Sequence, residues 1–216
     1  MNARVKVCGI SEPATLEAAL AAKADMIGFV FYPRSPRNVA PADAAFLARL
    51  AGRQAQKVVL TVDADDQRLS EIVAAVEPDF IQAHGAESPE RVSEIVSRFG
   101  VPVIKAIQVR TASDIEAAAR YEGAAALMLF DAAAPANLAN ALPGGNGVAF
   151  DWSLLSQRKG NKPFMLSGGL TPENVKEAIR LTGAPIVDVS SGVETAPGRK
   201  DPDLIRNFIE AVRGAG

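Results

Sequence analysis

The chain has 216 residues, with 23 lysines and arginines against 25 aspartates and glutamates, giving a formal net charge of −2. Hydrophobic residues make up 48% and charged residues 22%, which supplies a buried core and excludes a disordered chain. The near balance of charge excludes the basic field that nucleic acid or a membrane surface requires, and one cysteine and one histidine exclude a disulfide framework and a multi-histidine metal centre.

Strands are predicted over residues 4–8, 26–31, 57–62, 80–83, 102–107, 125–130, 163–167 and 185–189. Each is a near-continuous apolar run, as strands covered on both faces of a parallel sheet require. Helical periods fill the gaps. Leu69, Ile72, Val73 and Val76 form one stripe; Val92, Ile95, Val96 and Phe99 form a second; Val175, Ala178, Ile179 and Thr182 form a third. Ser88-Pro89-Glu90 and Thr171-Pro172-Glu173 each set a hydroxyl cap before proline at the first helical position. Thr111 and Asp114 have capping-box spacing, and a last helix opens at Asp201-Pro202. The low-charge stretch 123–150 is cut by Asp131, Pro135 and Pro143, so no membrane span is expected, and the N-terminus has no apolar signal core.

Eight strand–helix units with no linker predict an α/β fold, a single-domain (β/α)8 TIM barrel over residues 1–216, because closure removes both sheet edges. An open doubly wound sheet is the alternative. It would carry a glycine-rich nucleotide turn after its first strand, and Cys8-Gly9-Ile10 is not one.

A barrel keeps its chemistry at the C-terminal ends of its strands. Cys8 ends the first strand, where a thiol acts as nucleophile or general base if its pKa is lowered; alone it reads more readily as a small buried hydrophobe. Asp131 ends the sixth strand in a largely uncharged segment, a setting that raises a carboxyl pKa and suits a general acid. Together an acid and a base at one mouth suit an isomerase that needs no cofactor and no metal. Ser167-Gly168-Gly169 and Ser190-Ser191-Gly192 follow the seventh and eighth strands, where small residues let backbone amides reach a phosphate. Arg37, in a proline-rich loop, is either a solvated arginine or a clamp for a substrate carboxylate. His84 alone reads as a structural hydrogen-bonder, and Gly144-Gly145-Asn146-Gly147 as a loop that covers a ligand or merely connects two units.

These residues resemble one family. Val5-Lys6-Val7-Cys8-Gly9-Ile10, Gly28-Phe29-Val30-Phe31 with Ser35-Pro36-Arg37, Gln82-Ala83-His84-Gly85 and Val103-Ile104-Lys105-Ala106 are similar to segments of phosphoribosylanthranilate isomerases. So are Phe150-Asp151-Trp152, Leu166-Ser167-Gly168-Gly169-Leu170, Asp188-Val189-Ser190-Ser191-Gly192-Val193-Glu194, Pro197-Gly198 and Lys200-Asp201. The resemblance implies a cofactor-free Amadori rearrangement of N-(5-phosphoribosyl)anthranilate in tryptophan biosynthesis, in the cytoplasm, by a monomer or homodimer. It implies Cys8 as general base and Asp131 as general acid. It sets Arg37, His84 and Asp188 on the substrate, and Gly168, Gly169, Ser190, Ser191 and Gly192 on its phosphate. Three positions depart from the family pattern: Asn146 replaces a threonine, Ala83 a leucine and Ser11 a threonine. The related histidine-pathway isomerase would need an aspartate where Cys8 stands, and the indole-forming synthase a lysine–glutamate set at the mouth of which Lys105 alone is not enough. A barrel that binds a phosphorylated ligand without catalysis is the rival of a different class.

Overall fold

The computed structural model describes residues 3–133, 144, 147, 149–158 and 162–215. Eight parallel strands close into a barrel in chain order: β1 (Arg4–Cys8), β2 (Met26–Phe31), β3 (Gln56–Thr61), β4 (Phe80–Ala83), β5 (Val103–Val109), β6 (Leu127–Ala132), β7 (Phe164–Leu166) and β8 (Ile186–Val189). Closure comes from β1, which pairs Lys6 with Met26 of β2 on one side and with Asp188 of β8 on the other. The strands follow the expected apolar runs, shifted by a residue or two at their ends.

The helices are α1 (Pro13–Ala21), α2 (Pro41–Ala51), α3 (Asp66–Val76), α4 (Pro89–Phe99), α5 (Ala112–Ala117), α6 (Val175–Thr182) and α7 (Pro202–Arg213). Caps set their starts. Ser88 Oγ accepts from the Arg91 amide at 3.2 Å to open α4, and Asp201 accepts from the amides of Asp203 and Leu204 at 2.8 and 3.1 Å to open α7. The apolar stripes face the sheet: Leu69, Ile72 and Val76 of α3 are buried, as are Ile205, Phe208, Ile209 and Val212 of α7. Each such side chain contributes roughly 1.5–3 kcal/mol on leaving water.

Two expectations are corrected. The helix expected at Thr171-Pro172 is regular only from Val175: residues 172–174 form a turn that leads into it, with the Val175 amide donating to the Thr171 carbonyl at 3.1 Å and Asn174 Oδ1 accepting from the Thr171 amide at 2.8 Å. After β6 the described residues contain a 3₁₀ run at Trp152–Gln157 in place of an α-helix. A short antiparallel pair, β9 (Glu194–Ala196) and β10 (Arg199–Lys200), follows β8 and folds beside the mouth. Among the described residues no helix is long and apolar enough to cross a membrane.

Strand alternation builds the barrel interior. Met26, Val58, Ile104, Leu127, Leu129, Met165 and Ile186 fill the lower layers. Above them the same alternation turns Lys6 and Cys8 of β1, Gln82 of β4, Asp131 of β6 and Asp188 of β8 inward, so the interior changes from oil to ions toward the C-terminal ends.

Candidate active site

A cleft opens at that end of the barrel. Cys8, Arg37, His84, Asp131, Gly168, Gly169, Asp188, Ser190 and Ser191 all line it, so the structure gathers nine of the ten expected site residues round one cavity. Gly192, the tenth, sits directly behind Ser191, where a Cβ would lie 1.8 Å from the Leu170 carbonyl oxygen.

Cys8 is 4% exposed. Burial pushes its thiol above the ordinary range; the Lys6 ammonium pulls the other way, Asp188 adds to the rise, and Lys200 opposes it. Lys6, wholly buried two residues earlier on the same strand, donates to Asp188 Oδ1 at 2.8 Å. Burial disfavours that ammonium, but Asp188 and the facing thiol outweigh it and hold its pKa above the usual lysine range. Ser167 Oγ lies 3.3 Å from the other Asp188 oxygen.

Asp131 stands three strands away, on β6. Its sequence neighbours are apolar, yet its spatial neighbour is His84, whose Nε2 lies 3.3 Å from Asp131 Oδ2 without hydrogen-bond geometry. Gln82 Nε2 and His84 Nδ1 are 2.8 Å apart, and donation from the amide leaves the ring proton on Nε2, facing the carboxylate. Asp131 Oδ1 accepts from the Ala132 amide at 2.9 Å. Gly144 packs over this pair: a Cβ there would lie 2.5 Å from Asp131 Oδ2 and 2.6 Å from His84 Nε2. Gly144 and Gly147 therefore belong to the cleft wall, while Gly145 and Asn146 lie outside the described residues.

Arg37 is buried and two of its donors are already engaged, Nε at 2.7 Å and Nη2 at 2.8 Å from the two Glu194 oxygens. Lys200 Nζ shares Glu194 Oε1 at 2.9 Å and reaches the Ser190 carbonyl at 3.2 Å. Desolvation opposes the Glu194 charge, but Arg37 and Lys200 hold its pKa below the usual carboxylate range. Ser190 Oγ donates to the Cys8 carbonyl at 3.1 Å, so its hydroxyl ties β8 to β1. The amides of Gly168, Gly169, Ser191 and Gly192 donate to no acceptor among the described residues, and Gly168 and Gly169 hold φ at +86° and +64°. A side chain at Gly168 would meet the Ala132 amide nitrogen at 2.5 Å, so only glycine fits that turn. Lys105 is turned away from the mouth, its ammonium held by Glu87 at 2.8 Å and by the Gly85 carbonyl at 2.7 Å.

Lys6, Gln82 and the Glu194–Lys200 pair were given no role from the sequence. One signal was available: Lys6 is the one charge inside the first apolar run besides its opening arginine, at the i−2 position that shares the cysteine's face.

The family model for N-(5'-phosphoribosyl)anthranilate (PRA) isomerase matches residues 5–211. The chain belongs to that family. An N-(5'-phosphoribosyl)anthranilate isomerase of Parvibaculum lavamentivorans is 51% identical over 215 residues, covering 100% of both chains. One from Rhodopseudomonas palustris strain BisA53 is 55% identical over 209 residues, 97% of this chain and 95% of its own. Phosphoribosyl anthranilate isomerase from Thermotoga maritima superposes with a TM-score of 0.87 at 36% identity, over 98% of this chain and 99% of that one. A further family structure, in complex with reduced 1-(o-carboxyphenylamino)-1-deoxyribulose 5-phosphate, gives 0.83 at 34% identity over 98% and 99% of the two chains. As a member of the PRA isomerase family, this TIM barrel is an isomerase of tryptophan biosynthesis.

Proposed function

We propose that the chain, acting as one (β/α)8 domain over residues 1–216, converts N-(5-phosphoribosyl)anthranilate to 1-(2-carboxyphenylamino)-1-deoxyribulose 5-phosphate without a cofactor. Asp131 is the general acid. It protonates the furanose ring oxygen as the C1–O bond breaks, and the anthranilate nitrogen lone pair forms a cationic C1=N bond. That cation acidifies the C2 proton, which Cys8 removes as thiolate, leaving an enamine. Delivery of a proton to C1 and loss of the C2 hydroxyl proton give the ketone. The observation that carries this reading is the seating of Cys8 and Asp131 on β1 and β6, three strands apart, on the walls of one cleft.

The remaining roles follow from what each group offers. The unspent amides at Gly168, Gly169, Ser191 and Gly192 suit a phosphate. Phosphate binding remote from the reacting bonds orients C1 and C2 between acid and base. Arg37, steadied by Glu194, meets the anthranilate carboxylate from the cleft side; His84 and Asp188 contact the substrate beside the acid and the base. The relative from Thermotoga maritima is a dimeric phosphoribosylanthranilate isomerase, and a monomer or homodimer in the cytoplasm is proposed for this chain.

The test follows the loss of substrate fluorescence with freshly formed phosphoribosylanthranilate, for wild type, Cys8→Ala and Asp131→Asn. Rapid turnover by wild type alone is expected. No turnover by a folded wild type that still binds a product analogue would overturn the reading in favour of a binding barrel.

A further inference from the structure

We infer that Lys6 is a positioning residue for the Cys8 base: its ammonium, pinned on Asp188, is the counter-charge that lets the thiol ionise inside the barrel. The inference rests on the proposed role of Cys8. Three observations carry it. Lys6 and Cys8 are two apart on β1 and turn to the same interior face, and Lys6 has 0% of its surface exposed. Gly28 of β2 faces both: a Cβ there would lie 3.1 Å from Cys8 Sγ and 3.2 Å from Lys6 Nζ, so thiol and ammonium flank one small space that a side chain at this position would crowd. The layers beneath are filled by Met26, Ile104, Leu127 and Met165, so apolar side chains would close this one too.

A buried ion pair is a poor source of stability, because desolvation of both charges offsets their attraction and a hydrophobic pair of similar volume does as well. Lys6 and Asp188 therefore call for another reason to stand directly under a thiol, and an adjacent cation favours thiolate over thiol. Among the described residues the charged groups near Cys8 are few, and Arg37, whose side chain lies beside Gly9, is bonded to Glu194. Lys6 comes from β1, Asp188 from β8 and Lys200 from β10; Tyr32 packs near it from the loop after β2, while Val30 and Leu60 bring no charge. Lys200 is the competing cation, but Glu194 and the Ser190 carbonyl hold it.

The chain's single cysteine gives a clean readout. The rate of alkylation of the folded protein by iodoacetamide, followed against pH, reports the Cys8 thiolate directly. Lys6→Met is expected to move the midpoint up by about one to three pH units, slowing alkylation about tenfold or more below both midpoints. The acid limb of kcat/KM moves with it; Lys6→Arg restores both, and Lys200→Met shifts them less. Should Lys6→Met not fold, Lys6→Met/Asp188→Asn leaves no unpaired charge and carries the same test with a smaller upward shift. A folded Lys6→Met protein with the wild-type midpoint would overturn the inference, as would failure of a folded Lys6→Arg protein to restore it. Near-full activity of Cys8→Ala would instead remove the base assignment while leaving the thiol titration as it was, so the two failures are distinguishable.

Discussion

The two sides of the mouth solve opposite problems. Around Cys8 on β1 and β8 the interactions are ionic: Lys6 on Asp188, and Arg37 and Lys200 on Glu194. Around Asp131 on β4 and β6 the polar groups are held loosely, and His84 Nε2 and Gln82 Oε1 are buried without a hydrogen-bond partner among the described residues. A base that must become an anion in a dry barrel needs fixed charge arranged beforehand. An acid that must release and regain a proton is served by neighbours with hydrogen-bonding capacity still to spend, since a buried unpaired donor gains most from a ligand that completes it.

Removal of the two reacting groups is the strongest way to break this division. Cys8→Ala and Asp131→Asn should each lower kcat by about 10²–10⁴-fold or more with product-analogue affinity little changed, by steady-state kinetics and titration. If either kept near-wild-type turnover, that side of the mouth would have no chemical role. His84→Ala comes next. If His84 Nε2–H completes a hydrogen bond to a carboxylate or to the ligand once substrate is bound, losing that bond, worth about 1.5–3 kcal/mol, should reduce kcat/KM by about 10–150-fold. An unchanged kcat/KM would mean that the unspent ring nitrogen serves packing only.

Arg37→Ala sharpens the comparison from the ionic side. Its main effect should fall on KM, about tenfold or more, with kcat less affected, because a binding contact is lost while acid and base stay in place. An unaltered KM would confine Arg37 to its bond with Glu194. The smallest effect concerns pH. Burial raises the Cys8 thiol above its ordinary range, so thiolate is the minor form at neutral pH and kcat/KM should climb as pH rises above about 7. A flat profile there would place the rate-controlling ionisation elsewhere.

The same contrast explains what could be read from the chain. Strands were legible because burial on both faces writes continuous apolar runs, and Cys8 and Asp131 stood out by ending two of them. Lys6 was not, since a lysine in an apolar run looks like a solvated edge until closure of the barrel shows that Lys6 itself reaches no water. Asp131 seemed isolated for a related reason: His84 reaches it from β4 across the mouth, a contact between segments 47 residues apart that no local pattern encodes. The start signal at Thr171-Pro172 was legible to within a turn: α6 is regular from Val175, whose amide already donates to the Thr171 carbonyl.

The most direct measurement is a crystal structure of this protein with the reduced product analogue bound. Cys8 Sγ and Asp131 should flank the C1–C2 region of the analogue from opposite walls, with the Lys6–Asp188 pair intact and His84 Nε2 newly bonded to ligand or carboxylate. An analogue seated with both residues on one side, or one that parts Lys6 from Asp188 and leaves His84 untouched, would contradict the division between a pre-charged base and an unsaturated acid.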